Sequence, residues 1–352
     1  MTTRRLFLAG LAALSVPKPV WADLGSPACL SAGRQGDRYV LHGLTDTGES
    51  LFSVDLPDRG HAAAAHPDQP LAVAFARRPG RFALVLDCLT GRVLHRLTPP
   101  EGRQFSGHGV FSADGRVLYT SEVIASTSRG RIGLWQTGDF TRIGEWSSGG
   151  VGPHDLLRQA DGGLIVANGG IAADPADRSK LNLDRMRPNL TRLTPEGRIS
   201  AQAGLPADLH RNSIRHLAAG PGGVVAFAMQ WEGDPFEPVP LLGLWHPGSA
   251  PVLCPPPASE ALRMQGYAGS VAMTAQGLIA LTSPRGGVVM IHAPDGRHLA
   301  THPRADACGV AMSGRGFLVT DGSGVVWSCD AAGLRPQRRG GPAWDNHLIA
   351  LS

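Results

Sequence analysis

Gly107-His108-Gly109-Val110-Phe111-Ser112-Ala113-Asp114-Gly115-Arg116-Val117-Leu118-Tyr119-Thr120-Ser121-Glu122 decides the fold. A short apolar run ends in Ala113-Asp114-Gly115, a turn triplet whose glycine accepts positive φ, and a second run follows at once. Downstream, residues 131–136 turn through Thr137-Gly138-Asp139 into residues 141–146. Four short strands joined by tight turns, with no long 3.6-residue apolar period between them, predict one antiparallel sheet.

The same order recurs along the chain. Repeats open at His61, His108, His154, His216, Ser270 and Gly309, at steps of about 40 to 60 residues. That spacing suits the four-stranded blades of a propeller. The ends supply one more blade. Residues 28–32, 39–44 and 51–56 read as three strands, and 347–352 as a single strand. Pairing the last strand with the first three closes a ring and leaves no open sheet edge. The expected fold is therefore all-β: a seven-bladed propeller closed by a C-terminal strand pairing with N-terminal strands.

Arg4-Arg5, an apolar stretch over residues 9–16 and the small-residue exit Val20-Trp21-Ala22 read as a twin-arginine signal peptide. Residues 1–22 are expected to be removed, leaving 23–352 as a single domain in the periplasm. Pro17 and Pro19 interrupt the stretch, so no permanent membrane span is expected. The chain carries 33 basic and 29 acidic residues, and loss of Arg4, Arg5 and Lys18 brings the two near balance. No Lys/Arg cluster of the kind that grips phosphate backbones is present, which argues against nucleic-acid binding. Cys29, Cys88, Cys254, Cys308 and Cys329 show no CxxC spacing, and no disulfide is assigned. A monomer is expected.

Five blade starts carry histidine: His61, His108, His154, His216 and His347. Equivalent positions in a closed array converge, so these imidazoles predict one cluster at the mouth of the central channel. Glu122, Asn168 and Gln230 each stand 14 residues after a histidine and suggest a second ring. Arg77 and Asp321 occupy the corresponding place in other repeats, and Asp155 follows His154 directly. Two long loops, 169–189 and 231–240, are expected to cover the same face with acidic residues.

Neutral imidazole is a ligand for Fe, Cu, Zn and Ni, and carboxylate oxygen suits the harder ions among them. His108, His154 and His216 with Glu122 are the expected ligands of an iron or copper ion, with His61 and His347 beside them. Asn168, Gln230, Arg77, Asp321 and Asp155 are candidate ligand-binding residues. Two other readings stay open: histidines that lock blades together, and a pocket for an organic ligand.

The segments Gly107 to Glu122, Gly149 to Leu157, Val166 to Ile171, Lys180 to Asp184 and Ser213 to Ala218 resemble an exported propeller family catalogued as domain of unknown function 1513. The resemblance implies a seven-bladed propeller of Gram-negative bacteria, found in genomic company with imelysin-like proteins and a haem-containing thiol-oxidoreductase-like protein. That company implies periplasmic iron uptake. The family lends no catalytic residue, and Ser270 and Gly309 interrupt the histidine register. The leading expectation is a periplasmic, metal-binding, iron-handling propeller acting with imelysin-like uptake partners. A metal-dependent hydrolase or redox enzyme, and a protein-interaction scaffold, are the alternatives.

Overall fold

Seven four-stranded antiparallel sheets form the ring in the computed structural model, which describes residues 19–77, 80, 82–314 and 316–351. The repeat quoted above becomes Arg103–Phe111, Val117–Ile124, Arg129–Gln136 and Thr141–Val151, hydrogen-bonded in that order. Its turn forms for the expected reason. Asp114 accepts from the Ser112 hydroxyl and the Arg116 amide, and Gly115 takes φ +68°. A side chain at Gly115 would also fall on the His66 ring of the preceding blade.

The inner strands of blades 1 to 7 are Gly60–Ala65, Arg103–Phe111, Pro153–Arg158, Asn212–Ala219, Ser270–Met273, Ala307–Ser313 and Ala343–Ala350. Each packs on the next, and the seventh packs on the first. Blade 7 joins the chain ends: Ala343–Ala350 pairs antiparallel with Cys29–Gln35, followed by Arg38–Leu44 and Ser50–Leu56. The ring thus closes as the sequence predicts.

Blades meet through apolar faces, so the core is a set of interfaces and not one central mass. Between blades 1 and 2, Val73, Phe75 and Val85 pack on Phe105, Leu118 and Trp135. The Phe75 and Phe105 rings meet edge-on at 6.3 Å, and Phe105 lies 6.2 Å from Trp135. Leu318 and Val326 of blade 6 pack in the same way on Cys29, Leu44, Trp344 and Leu348 of blade 7. A short helix, α1 (Ala258–Arg263), lies in the connection from blade 4 to blade 5.

The five cysteines are free and buried, and burial pushes the thiols of Cys29, Cys88 and Cys329 up to about 12. Most of the expected signal peptide, residues 1–18, lies outside the described residues. Among the described residues no helix is long and apolar enough to cross a membrane.

Candidate functional site

The histidines sit where the inner strands break register. Pairing with the neighbouring strand slips between Gly60 and Ala63, Phe105 and Gly109, Pro153 and Leu156, Ile214 and His216, and Ala307 and Val310. In blade 7 the slip spans Trp344 to Leu348. Such bulges bend a strand and re-aim the side chains beside them. The inner strand of blade 5, with Ser270 in place of histidine, pairs without a slip. Five imidazoles are in this way turned toward one another.

Ring centroids lie 4.9 Å apart for His61 and His108, 4.4 Å for His108 and His154, and 4.9 Å for His154 and His216. His347 closes the group at 5.0 Å from His216 and 4.4 Å from His61. His108, His154, His216 and His347 are all buried. Two triads, His61-His108-His347 and His108-His154-His216, each bring one ligand nitrogen per residue within 4.8 Å of the others. His108 belongs to both.

The Nε2 atoms of His61 and His108 are 3.3 Å apart. Two imidazole nitrogens on one tetrahedral ion, each about 2.05 Å from it, stand roughly 3.3 Å apart, so this pair already has a shared-ion separation. Asp155 sets the tautomer of His108, its Oδ1 accepting from Nδ1 at 3.2 Å. Its Oδ2 accepts from the Leu217 amide at 3.0 Å, tying blade 3 to blade 4. With Nδ1 protonated toward the carboxylate, the lone pair of neutral His108 is at Nε2, on the side of His61.

Burial holds His154, His216 and His347 well below the usual imidazole range, and neighbouring imidazoles push the same way. Arg215 adds to this for His154 and His216, and Arg77 for His347. These three imidazoles are therefore held toward the neutral form, the state that leaves lone pairs for a metal. His154 Nδ1 and His347 Nε2 are buried and have no partner. Buried polar atoms without a bond are costly, and a bound group satisfies them.

The second ring takes a different place. Glu122, Asn168 and Asp321 lie opposite Phe105, Pro153 and Ala307 of their own inner strands. A second strand is screened from the channel by the first, so its side chains project between blades. Glu122 is fully buried, paired with Arg142 at 2.7 Å and bonded to Thr120. Asn168 bonds Ser148, Asn189 and Thr191. Asp321 is held by Arg304, Ser323 and Trp327, and Gln230 donates to the Ala268 carbonyl. Asn168 ties blade 3 to Ser148 of blade 2, whereas Glu122 is held within its own blade, and neither joins the imidazoles. Arg77 is exposed beside His347, and Asp155 is in the cluster itself.

The two long loops are joined by an ion pair between Lys180 and Glu232. Asn182 pins the first by bonding the Ala172 amide and the Gly170 carbonyl. Below Glu232, at 3.9 Å, lies Arg215, buried at the bulge and with no partner for Nε. Sequence reasoning passed over Arg215. Its signal was a cation inside the apolar run Ile214 to Ala218, directly before a histidine.

On the other side the histidines floor a cavity of about 400 Å³ along the ring axis. His108, His216, His347 and Asp155 line it with apolar inner-strand residues, and Trp21 borders it at the far end.

No curated protein matches the chain. Among solved structures it is similar to hydrazine synthase of Kuenenia stuttgartiensis, with TM-score 0.60 and 13% identity over 93% of this chain and 98% of that one. It is also similar to a streptogramin B lyase, with TM-score 0.58 and 12% identity over 89% of this chain and 88% of the other. At such identities the likeness is one of fold alone. The family model that matches covers residues 54–351, and with them all five clustered histidines, so the chain belongs to the family described as Protein of unknown function (DUF1513).

Proposed function

We propose that this propeller binds one first-row transition-metal ion at His61, His108, His154, His216 and His347. The observation that carries the reading is His108: its Nδ1 is committed to Asp155 and its Nε2 faces His61 at 3.3 Å. A carboxylate behind a ligating histidine is the usual outer partner of a metal site. Glu122 has no part in the proposal, since Arg142 and Thr120 occupy its carboxylate. An imidazole donor set suits copper, iron, zinc or nickel. The family's genomic company favours iron, handled in the periplasm with imelysin-like partners after twin-arginine export.

Metal analysis of protein purified from its native compartment tests this. Wild type is expected to hold close to one equivalent of ion, and the double variant His108→Ala/His154→Ala at least tenfold less. Equal, substoichiometric metal in both would overturn the reading.

A further inference from the structure

We infer that the ion held by the histidines keeps a coordination position open toward the central channel, and that the channel receives the ligand that fills it. That ligand is a small uncharged molecule, apolar except for one nitrogen, oxygen or sulfur donor. The proposal deepens, and rests on, the reading of the cluster as an ion site.

The channel reaches the cluster from one side. In each triad two of the three members line it, His108 and His347 in one and His108 and His216 in the other, whereas His61 and His154 do not. An ion at either triad has three imidazoles, one fewer than a closed tetrahedral site, and metal sites with three protein ligands keep the fourth position for an exogenous group. No histidine competes for that position from blades 5 and 6. Ser270 begins the channel wall in blade 5 where His216 and His347 begin it in blades 4 and 7. In blade 6 the corresponding Gly309 has no room for a side chain, since a Cβ there would fall 2.7 Å from the Leu348 amide nitrogen. The ring of imidazoles is thus incomplete beside the channel.

Volume and walls set the body of the ligand. About 400 Å³ compares with the roughly 150 Å³ that admits benzene, so the channel has room for about 15 non-hydrogen atoms. Ala64, Leu217, Val271, Ala272 and Val310 line it, and a mostly apolar wall with few convergent polar groups suits a small organic molecule.

Charge at the floor sets the head. The Asp155 carboxylate lines the floor with its side chain 21% exposed, and it repels an anionic head. Its Oδ1 accepts from His108 Nδ1 and the Leu156 amide, and its Oδ2 from the Leu217 amide, so it is already engaged. A metal cation beside it repels a cationic head in turn, which leaves a neutral donor. Arg158, the other charged residue of the lining, stands at the far end of its strand, away from the floor.

Visible spectroscopy of the full chain loaded with Co(II) tests this, because the d–d bands follow the number and arrangement of ligands. N-hexylimidazole and N-methylimidazole present the same donor and differ in the tail. The hexyl compound is expected to shift the bands and to bind about tenfold or more tightly than the methyl compound, from burial of its chain. Equal affinity would overturn the channel as its pocket, and unmoved bands with cobalt still bound would overturn the open position. Hexanoate is expected not to displace the hexyl compound; displacement at equal concentration would overturn the uncharged head. Ala272→Phe, which fills the wall, is expected to weaken N-hexylimidazole about tenfold and to leave cobalt content and N-methylimidazole binding unchanged. Ala219→Trp narrows the mouth from the exposed end of its strand and is expected to slow binding about fivefold, which keeps the test decisive if Ala272→Phe does not fold. Affinity and rate unchanged in the folded variants would sink the channel. Cobalt content, measured separately by elemental analysis, reports on the ion site: a wild-type chain that holds no cobalt fails that reading and this one with it, whereas bound cobalt with unmoved bands fails this one alone.

Discussion

At the scale of single residues, His108 and Asp155 carry the site. Asp155→Asn keeps the shape but turns a charged acceptor into a neutral one, so His108 is held less firmly and its Nε2 becomes less basic. Loss of such an outer partner is expected to lower metal affinity by about 10- to 100-fold with little change in melting temperature, as metal titration would measure. Glu122→Gln should do the opposite. It neutralises buried Glu122 beside the partly exposed Arg142, which keeps Glu145, and is expected to cost about 2 kcal/mol in urea unfolding and to leave metal content unchanged. Both residues were visible in the sequence as acids near histidines. Which one touches a histidine was not, because that depends on which strand faces the axis.

Two histidines outside the cluster add to the acid sensitivity that the buried cluster histidines bring. Burial lowers His42 and His292 to about 4, and in each Nε2 is buried without a partner. The folded state therefore disfavours their protonation, while the unfolded chain takes protons near 6.5. Their contribution is intact above about pH 6.5 and is lost as pH falls toward 4. At pH 5 each is expected to remove about 2 kcal/mol relative to pH 7.5. Urea midpoints at the two pH values check this, and His292→Leu should flatten the dependence.

At the scale of elements, the turn and the bulge behave differently as signals. Gly115 was readable: a turn between two apolar runs needs positive φ, and the structure has φ +68° there. Gly115→Ala is expected to cost about 2 kcal/mol or more in thermal or urea unfolding, from backbone strain and overlap with His66. Bulges leave a fainter mark. Residues 106–108 interrupt the pairing of Arg103–Phe111, and Gly107, at φ +99°, signals an irregularity there without saying which side chain it re-aims. A strand read as regular would direct alternate side chains to opposite faces, yet the slip turns His108 toward its neighbours. Arg215 is hidden by the same device, since a cation in an apolar run makes sense only once the strand is known to bulge there.

At the scale of the whole molecule, closure governs stability. Ala343–Ala350 is the inner strand of blade 7 and packs on the inner strands of blades 1 and 6. A chain ending at Gly341 loses that strand, exposes the edge of Cys29–Gln35 and removes Trp344, Leu348 and His347. It is expected to be insoluble or aggregated on size-exclusion chromatography, where the full chain elutes as a discrete species. A compact monomer from the truncated chain would show that six blades suffice.

Sequence alone determined the class, the number of blades and the closing strand, because turn chemistry and repeat spacing are local and seven copies of one pattern reinforce each other. It also marked the five histidines, since equivalent positions in a ring must converge. Only the tertiary structure decided what surrounds them. It assigned Asp155 to His108, gave Glu122 to Arg142, set Arg215 behind the floor and opened an apolar channel in front of it. Those outcomes depend on strand order and register slips, which bring together residues from different blades and are not fixed by any one of them.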